Sequence, residues 1–575
     1  MAEYLSPGVY VEEFESGAKP MEGVGTSTAG FVGLAERGPI EGLPQLVTNF
    51  SDFKRKYGGY LSENEFGEYR FLAYAVEHFF INGGARCYIA RVAPGDAKCA
   101  QAAVPTESAV LNITAKNPGL WGNNLLTVIS PSSKAKTQVL QVVENASGKK
   151  YAVKNGAGFN QGDIVKFTDG DTIVYNRVIK NQDNIIEFEN EFEEDVTDTN
   201  LVPKKTISTC ELTLEVKFDD LIEVYENVSF NIEASNYIEK KMAKSDLIEV
   251  VCVGSQAEIK APFEQLAAEG DAIVSVSFAG GSNGSVSSIS AADYIGVDNG
   301  AGRRTGIQAF VDNDVVSIMA VPGVTDPNVQ LTLVAHCENL ASRFAVLDMP
   351  KDAKKIDDII AHRDIFDSNY AALYHPWLQV FDPLDKKNLA IPPSGSIIGI
   401  YARSDNSRGV HKAPANEVVR ACVGLDCQFN KGEQDILNPK GVNLIRAFPG
   451  MGIRVWGART ATSNPSWKYV NVRRLFIFIE ESIKANTNWA VFEPNDEVLW
   501  VRVKRTIDVF LTGLWRNGSL AGTSPSEAFF VNIGRDTMSQ DDIDNGRLIC
   551  VIGVAPVKPA EFVIFRISQK TSDAE

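Results

Sequence analysis

Near the C-terminal end of the chain, Val472, Leu475, Phe476, Ile479 and Ile483 fall at offsets 0, 3, 4, 7 and 11. That spacing is one apolar stripe of a helix with 3.6 residues per turn. Arg473, Ile477, Glu480 and Lys484 lie on a second, mixed stripe. After a proline break at Pro494 a second helix is predicted over 496–516, with Asn495 as its cap. Asp496 and Glu497 suit the N-terminal dipole of that helix, and Asn517-Gly518 ends it. Two short apolar runs, 548–554 and 562–567, predict closing strands before a polar tail.

The pattern changes several times before that region. At the start, Val9 and Val11 alternate with Tyr10 and Glu12 behind a Pro7-Gly8 turn, a short strand. The breaker-rich Ser16-Gly17-Ala18-Lys19-Pro20 separates it from the rest of the chain. A strand detached in this way must pair elsewhere in the fold or add to another chain's sheet. A βαβ-like piece comes next: a strand over 28–34, a helix opening at Ser51-Asp52-Phe53, a helix over 69–81 and a strand over 87–92. Residues 111–259 are rich in β-branched residues and Asn-Gly or Asp-Gly turns, which predicts an all-β insertion. From Ser290 the alternation resumes. A strand over 315–321 precedes a helix from Asp326-Pro327 to Ala341 with apolar Leu331, Val334 and Ala335, then a strand over 344–347. A helix to His362 and a strand over 370–380 come after it. Strand–helix–strand at this spacing predicts a parallel sheet with right-handed crossovers.

The expected fold is therefore α/β and α+β, in several domains. We divide it into a detached arm (1–20), the first part of an α/β domain (21–103), an inserted all-β domain (104–267), the parallel-sheet α/β domain (268–465) and a C-terminal α+β assembly domain (466–575). A chain of 575 residues is too long for one core. Its charge, 56 − 73 = −17, argues against direct nucleic-acid binding. Within that acidic whole, 440–516 is locally basic, which points to an acidic partner. The start has no basic and apolar leader pattern, and no apolar run reaches the ~20 residues of a membrane span, so no membrane insertion is expected. Eight scattered cysteines fit reduced thiols better than a disulfide framework.

In a parallel sheet, chemistry belongs at the strand ends. Asp348 and His375 sit there, but Pro393-Ser394-Gly395-Ser396 lacks the G-x-S-x-G spacing of a nucleophile elbow. Gly300-Ala301-Gly302-Arg303-Arg304-Thr305-Gly306 has one residue too many for a dinucleotide loop, and Cys422, Cys427 and His411 do not make a zinc motif. No catalytic residue, cofactor or metal is expected, and weight moves to a structural or binding protein.

Several phrases resemble the contractile tail sheath proteins of bacteriophages, R-type bacteriocins and related injection systems. They include Ser6-Pro-Gly-Val-Tyr-Val-Glu-Glu, Asn117-Pro-Gly-Leu-Trp-Gly-Asn-Asn, Arg408-Gly-Val-His-Lys-Ala-Pro-Ala-Asn and Gly441-Val-Asn-Leu-Ile-Arg-Ala-Phe-Pro-Gly-Met-Gly. Phe492-Glu-Pro-Asn, Gly553-Val-Ala-Pro-Val and Pro559-Ala-Glu-Phe continue the series in order. The resemblance implies a non-enzymatic subunit that polymerises as stacked hexameric rings around an inner tail tube. It implies contraction on a signal from the baseplate, and baseplate and tail terminator proteins as further partners. The particle would be a phage tail assembled in the host cytoplasm, or a phage-tail-like particle. Terminal strands lent to neighbouring subunits are implied as well, with Val9, Tyr10, Val11, Phe562, Val563, Ile564, Phe565 and Ile567 as candidates. Arg473, Arg474, Lys484 and Asn488 are the candidates for facing the tube. The alternatives are an α/β hydrolase-like enzyme and a non-contractile shell or fibre protein.

Overall fold

The computed structural model describes residues 21–143, 150–169, 172–190, 205–253 and 259–566. Val9, Tyr10, Val11 and Ile567 lie outside them. The protein is a mixed α/β, multidomain chain.

A nine-stranded sheet forms the middle. Its six inner strands are parallel, in the order Cys87–Val92, Ala29–Leu34, Ile318–Ala320, Phe344–Asp348, Ala371–His375 and Val442–Phe448. Antiparallel strands close both margins. Side chains alternate across the sheet, and both faces are covered. Phe344, Val346 and Tyr374 pack under helices Leu72–Asn82 and Ser394–Arg408, whereas Ala345, Leu347 and Leu373 pack against Pro327–Leu340 and Ile356–Arg363. A parallel sheet buried on both sides explains the near-continuous apolar strands of the sequence. The first two of these helices touch closely: a Cβ at Gly395 would collide with the Ala75 carbonyl oxygen.

Residues 93–317 leave this sheet and return to it, since Ala29–Leu34 pairs directly with both Cys87–Val92 and Ile318–Ala320. Within that excursion lie three- and four-stranded sheets and a closed six-stranded barrel. The excursion is wider than 104–267, because strands Gln101–Val104 and Val274–Ser277 belong to its sheets. Its described residues also contain short helices, among them Ile238–Met242 and Pro262–Leu266, that periodicity did not reveal. In each of these two, five residues span too few turns for an apolar stripe to repeat.

Three local expectations differ from the structure. Helix Pro327–Leu340 buries Val329, Leu333, Val334 and Cys337, while Leu331 is exposed. The run 370–380 is two strands, Ala371–His375 and Leu378–Asp382, parted at Pro376. The cap of the second C-terminal helix is Asp496, whose carboxylate accepts from Leu499 N at 2.9 Å; the Asn495 amide instead accepts from the Trp500 indole.

Candidate assembly surfaces

The strand ends of the parallel sheet hold buried polar residues that serve the fold. Asp348 is 2% exposed and accepts hydrogen bonds from Ser394 N (2.8 Å), Ser394 Oγ (2.7 Å) and Gly323 N (3.1 Å). It neutralises the start of helix Ser394–Arg408, where orphan N–H groups and the dipole favour an anion. The Ser394 hydroxyl is thus spent on a structural contact. His375 is buried against Phe429, and burial lowers its pKa to about 4. Cys422 Sγ lies 2.9 Å from Gly424 O, Cys427 Sγ lies 3.7 Å from His375 Nε2, and His411 engages Ser519 Oγ. Cys422, Cys427 and His411 therefore point to different partners.

Burial pushes the Asp348 carboxyl up to about 6, outweighing the three donors that pull it down. Between pH 3.8 and 6 the folded chain binds more protons here than the unfolded one. This group's contribution to stability is therefore full below about pH 4 and is lost as pH rises through 6, a change on the order of 3 kcal/mol. The expected result is that the melting-temperature advantage of wild type over Asp348→Asn shrinks between about pH 4.5 and about pH 7.5, by calorimetry. An advantage that grows over that range would reverse the assignment.

The C-terminal region is built around helix Val470–Thr487, which is wedged between two cores. Leu475 and Ile479 meet Leu499, Val503, Ile507 and Leu511 of helix Glu497–Arg516, while Val470 and Ile477 enter the core under the nine-stranded sheet. The apolar stripe is therefore covered along the helix, and the mixed stripe is buried at Arg473 and Ile477 but exposed at Glu480 and Lys484. This relocates two of the residues expected to face a tube. Arg474 is 4% exposed, forms a two-pronged ion pair with Asp405 (2.9 and 2.5 Å), and lies over the Tyr401 ring. Arg473 is 5% exposed, with its guanidinium 3.6 Å from the Trp467 ring centroid and over Tyr370. Neither presents its charge at the surface. Lys484 and Asn488, further along towards the helix end, are exposed, and Lys484 pairs only with its neighbour Glu481 among the described residues.

The same helix holds both ends of the described chain. At its C-terminal end, Asn486 Nδ2 donates to Glu22 O and Ser482 Oγ accepts from Val24 N. Nearer its start, Arg474 donates to Thr26 O. At the N-terminal end, Asn471 donates to Val557 O, and the Tyr469 hydroxyl donates to Glu561. Glu561 also takes two bonds of 2.7 Å from Arg459 and one from Asn438. Beyond this clamp Phe562, Val563, Ile564 and Phe565 stand 69–82% exposed with no strand partner, so the expected closing strand over 562–567 is absent from its described part.

Sequence reasoning missed strand Phe529–Ile533, which pairs with Cys550–Val554. Its alternation of Phe530 and Asn532 outward with Val531 inward is the signal that could have found it. These two strands pair only with each other among the described strands, so each keeps an outer edge open. One face lies on helix Glu497–Arg516 and the other exposes Phe530 and Val551. That helix also turns Val498, Val501 and Val509 outward beside exposed Arg502, Lys504 and Arg505.

Comparison with known proteins places these features. Residues 288–461 match the phage tail sheath protein central domain and 462–570 the phage tail sheath C-terminal domain. The chain is 25% identical over 288 residues to a prophage major tail sheath protein of Pseudomonas aeruginosa strain UCBPP-PA14, covering 48% of this chain and 72% of that one. It is 24% identical over 286 residues to the tail sheath protein of Escherichia phage P2, covering 48% and 69%. Its fold is similar, over 99% of each chain, to that in the PVC sheath complex of an extracellular contractile injection system in the contracted state, at 22% identity and a TM-score of 0.52. The two matched domains adjoin at 461/462 and together take in the parallel strands from Ile318 onward, the wedged helix and the open two-stranded sheet. The chain belongs to the contractile tail sheath protein family.

Proposed function

We propose that this chain is the repeating subunit of a contractile sheath, a structural component of a phage tail or phage-tail-like particle. Copies stack as hexameric rings around an inner tube, and contraction drives the tube through a cell envelope. The observation that carries this reading is the company kept by the two-stranded sheet. Among the described residues both of its outer edges are open, and both ends of the described chain are tied to helix Val470–Thr487, which packs on the helix beneath that sheet. Open edges are templates for added strands, and subunits that exchange strands in a non-closing arrangement grow into helical arrays. The segments before Met21 and after Glu561 are the strands we assign to neighbouring subunits, with Val9–Val11 and Phe562–Ile567 as their apolar runs. The parallel sheet forms the subunit body, the β excursion 93–317 its outer decoration, and the region from 462 its inner, assembly-forming part. Baseplate and terminator proteins cap the array at its two ends.

Contraction in this reading needs no nucleotide. An extended array held in a metastable packing releases the difference between two arrangements of the same subunits. Electron microscopy of the purified chain tests the reading. Hollow cylinders of two distinct diameters support it, cylinders of one diameter favour a non-contractile shell, and a monodisperse monomer overturns it.

We assign the tube-facing charge to helix Glu497–Arg516, together with Lys484 and Asn488 at the end of its partner. Arg502, Lys504 and Arg505 are exposed there, and repetition around a cylinder multiplies contacts that are weak singly. Arg502→Glu with Arg505→Glu should leave the melting temperature within about 2 °C, since exposed substitutions cost little. Assembly on a tube should fall at least about tenfold, a loss of about 1.4 kcal/mol of binding, while empty cylinders still form. Equal loss of both kinds of cylinder would remove this helix from the tube contact.

A further inference from the structure

The six-stranded barrel stands on a narrow neck. Strands Leu126–Ser132 and Glu211–Phe218 are the two middle strands of the four-stranded sheet, and their ladder ends at the pair Ser132 and Glu211. Just beyond, Lys136 faces Ser208 at the first rung of the barrel, and between the two rungs Thr209 N donates to Ala135 O at 2.9 Å. The barrel core, built on Val165, Phe167 and Ile186, and the core under the sheet, built on Ile129, Leu212 and Leu214, share no buried residue among those described. Two clefts undercut the barrel. One, of about 830 Å³, separates it from helix Pro262–Leu266. The other, of about 630 Å³, separates it from strand Leu221–Val228 at a margin of the sheet, and the two have no lining residue in common.

Polar contacts bridge this neck. Lys134 Nζ lies 2.9 Å from Asp163 of the barrel and 3.5 Å from Glu211 of the sheet, and Lys134 N donates to Glu211 at 2.8 Å. Both carboxylates are buried, with side chains 1–2% exposed. From the side of the body, Asn231 donates to the Asp163 carboxylate and to Gln161 O, each at 2.8 Å. Across the larger cleft the Tyr175 hydroxyl donates to Glu264 of helix Pro262–Leu266. Units joined by a two-stranded ribbon and polar contacts, without a common apolar core, move against one another by default. We infer that the barrel is a hinged unit that turns on residues 133–135 and 209–210 into the clefts beside it, and that Lys134, held between Asp163 and Glu211, is the latch that keeps it docked. One lysine keeps two buried carboxylates from repelling each other. When that balance is disturbed, the least costly relief is to open the neck to water, which moves the barrel and exposes neither core. The hinge belongs to the single subunit, so it stands whether or not the sheath reading does. Where copies are packed together, it lets the barrel yield to a neighbour without straining the subunit body.

Full-length chains test this, with nitroxides carried on non-natural amino acids at exposed Lys154 of the barrel and Lys244 of the body and labelled chains diluted into unlabelled ones. Double electron–electron resonance reads the position of the barrel, and hydrogen exchange at Phe167 and Leu214 reads the two cores. The unaltered latch should give one narrow distance distribution. Lys134→Met, and separately Asn231→Asp, which sets another carboxylate against Asp163, should each raise the displaced fraction at least about tenfold while both cores stay protected. Exchanging the partners, Asn231→Asp with Asp163→Asn, should return the narrow distribution. A distribution unchanged in either single variant would overturn the inference, as would failure of the exchanged pair to recover. Displacement accompanied by lost protection at Phe167 would make the cluster part of the barrel's own fold and overturn the hinge as well.

Discussion

A chain that begins at Lys19 is expected to fold as wild type does and to form no cylinders. The described contacts at the N-terminal end are those of Glu22, Val24 and Thr26 with Asn486, Ser482, Arg474 and Asp405, and all lie downstream of the cut. The melting temperature should therefore be kept to within about 2 °C. Polymerisation depends on what the missing segment does in another subunit, so sedimentation should show subunits or small oligomers where wild type pellets. Normal cylinders from the truncated chain would refute strand exchange by this arm.

Replacing Arg474 is expected to cost more stability than any other single substitution on this helix. With its partner gone, Asp405 would be left charged beneath Thr26, its side chain 4% exposed. Breaking a buried pair from one side costs about 3–5 kcal/mol, whereas removing both charges is often nearly neutral. Arg474→Ala should thus lower the melting temperature steeply and lose every kind of cylinder together. Arg474→Met combined with Asp405→Leu should recover most of that stability. Arg474→Lys keeps the charge but loses the two-pronged geometry and the stacking on Tyr401, so an intermediate loss is expected. A variant at Arg474 that melts normally but loses only tube-templated assembly would return this residue to the surface role its sequence position suggested.

The contrast between Arg474 and Arg502 marks where sequence reading stops. Both are arginines on helices of the locally basic region, and neither is an apolar position of its helix. Whether such a position meets water depends on how many neighbours the helix has. Helix Glu497–Arg516 is covered on one side, so its cations are exposed; helix Val470–Thr487 is covered on two, so its arginines are enclosed by Asp405, Tyr401, Trp467 and Tyr370. No spacing within residues 470–487 encodes that second core, which comes from strands and helices up to about 440 residues away. Asp348 and Ser394 make the same point. Their types suggest chemistry, while their geometry spends both on the start of a helix.

The sequence by itself determined many of the elements and their kinds. Period-3.6 and apolar-run patterns located both long C-terminal helices and five of the six inner strands of the parallel sheet, all but Val442–Phe448, because local burial imposes those periods whatever the partner. Ordered phrases along the chain were enough to place it in its family. Tertiary structure decided what each side chain faces. It enclosed Arg473 and Arg474, left Phe562–Phe565 without a strand, and paired Phe529–Ile533 with Cys550–Val554. Those outcomes depend on contacts between residues far apart in the chain, and a pattern read along the chain carries no information about which distant surface closes over it.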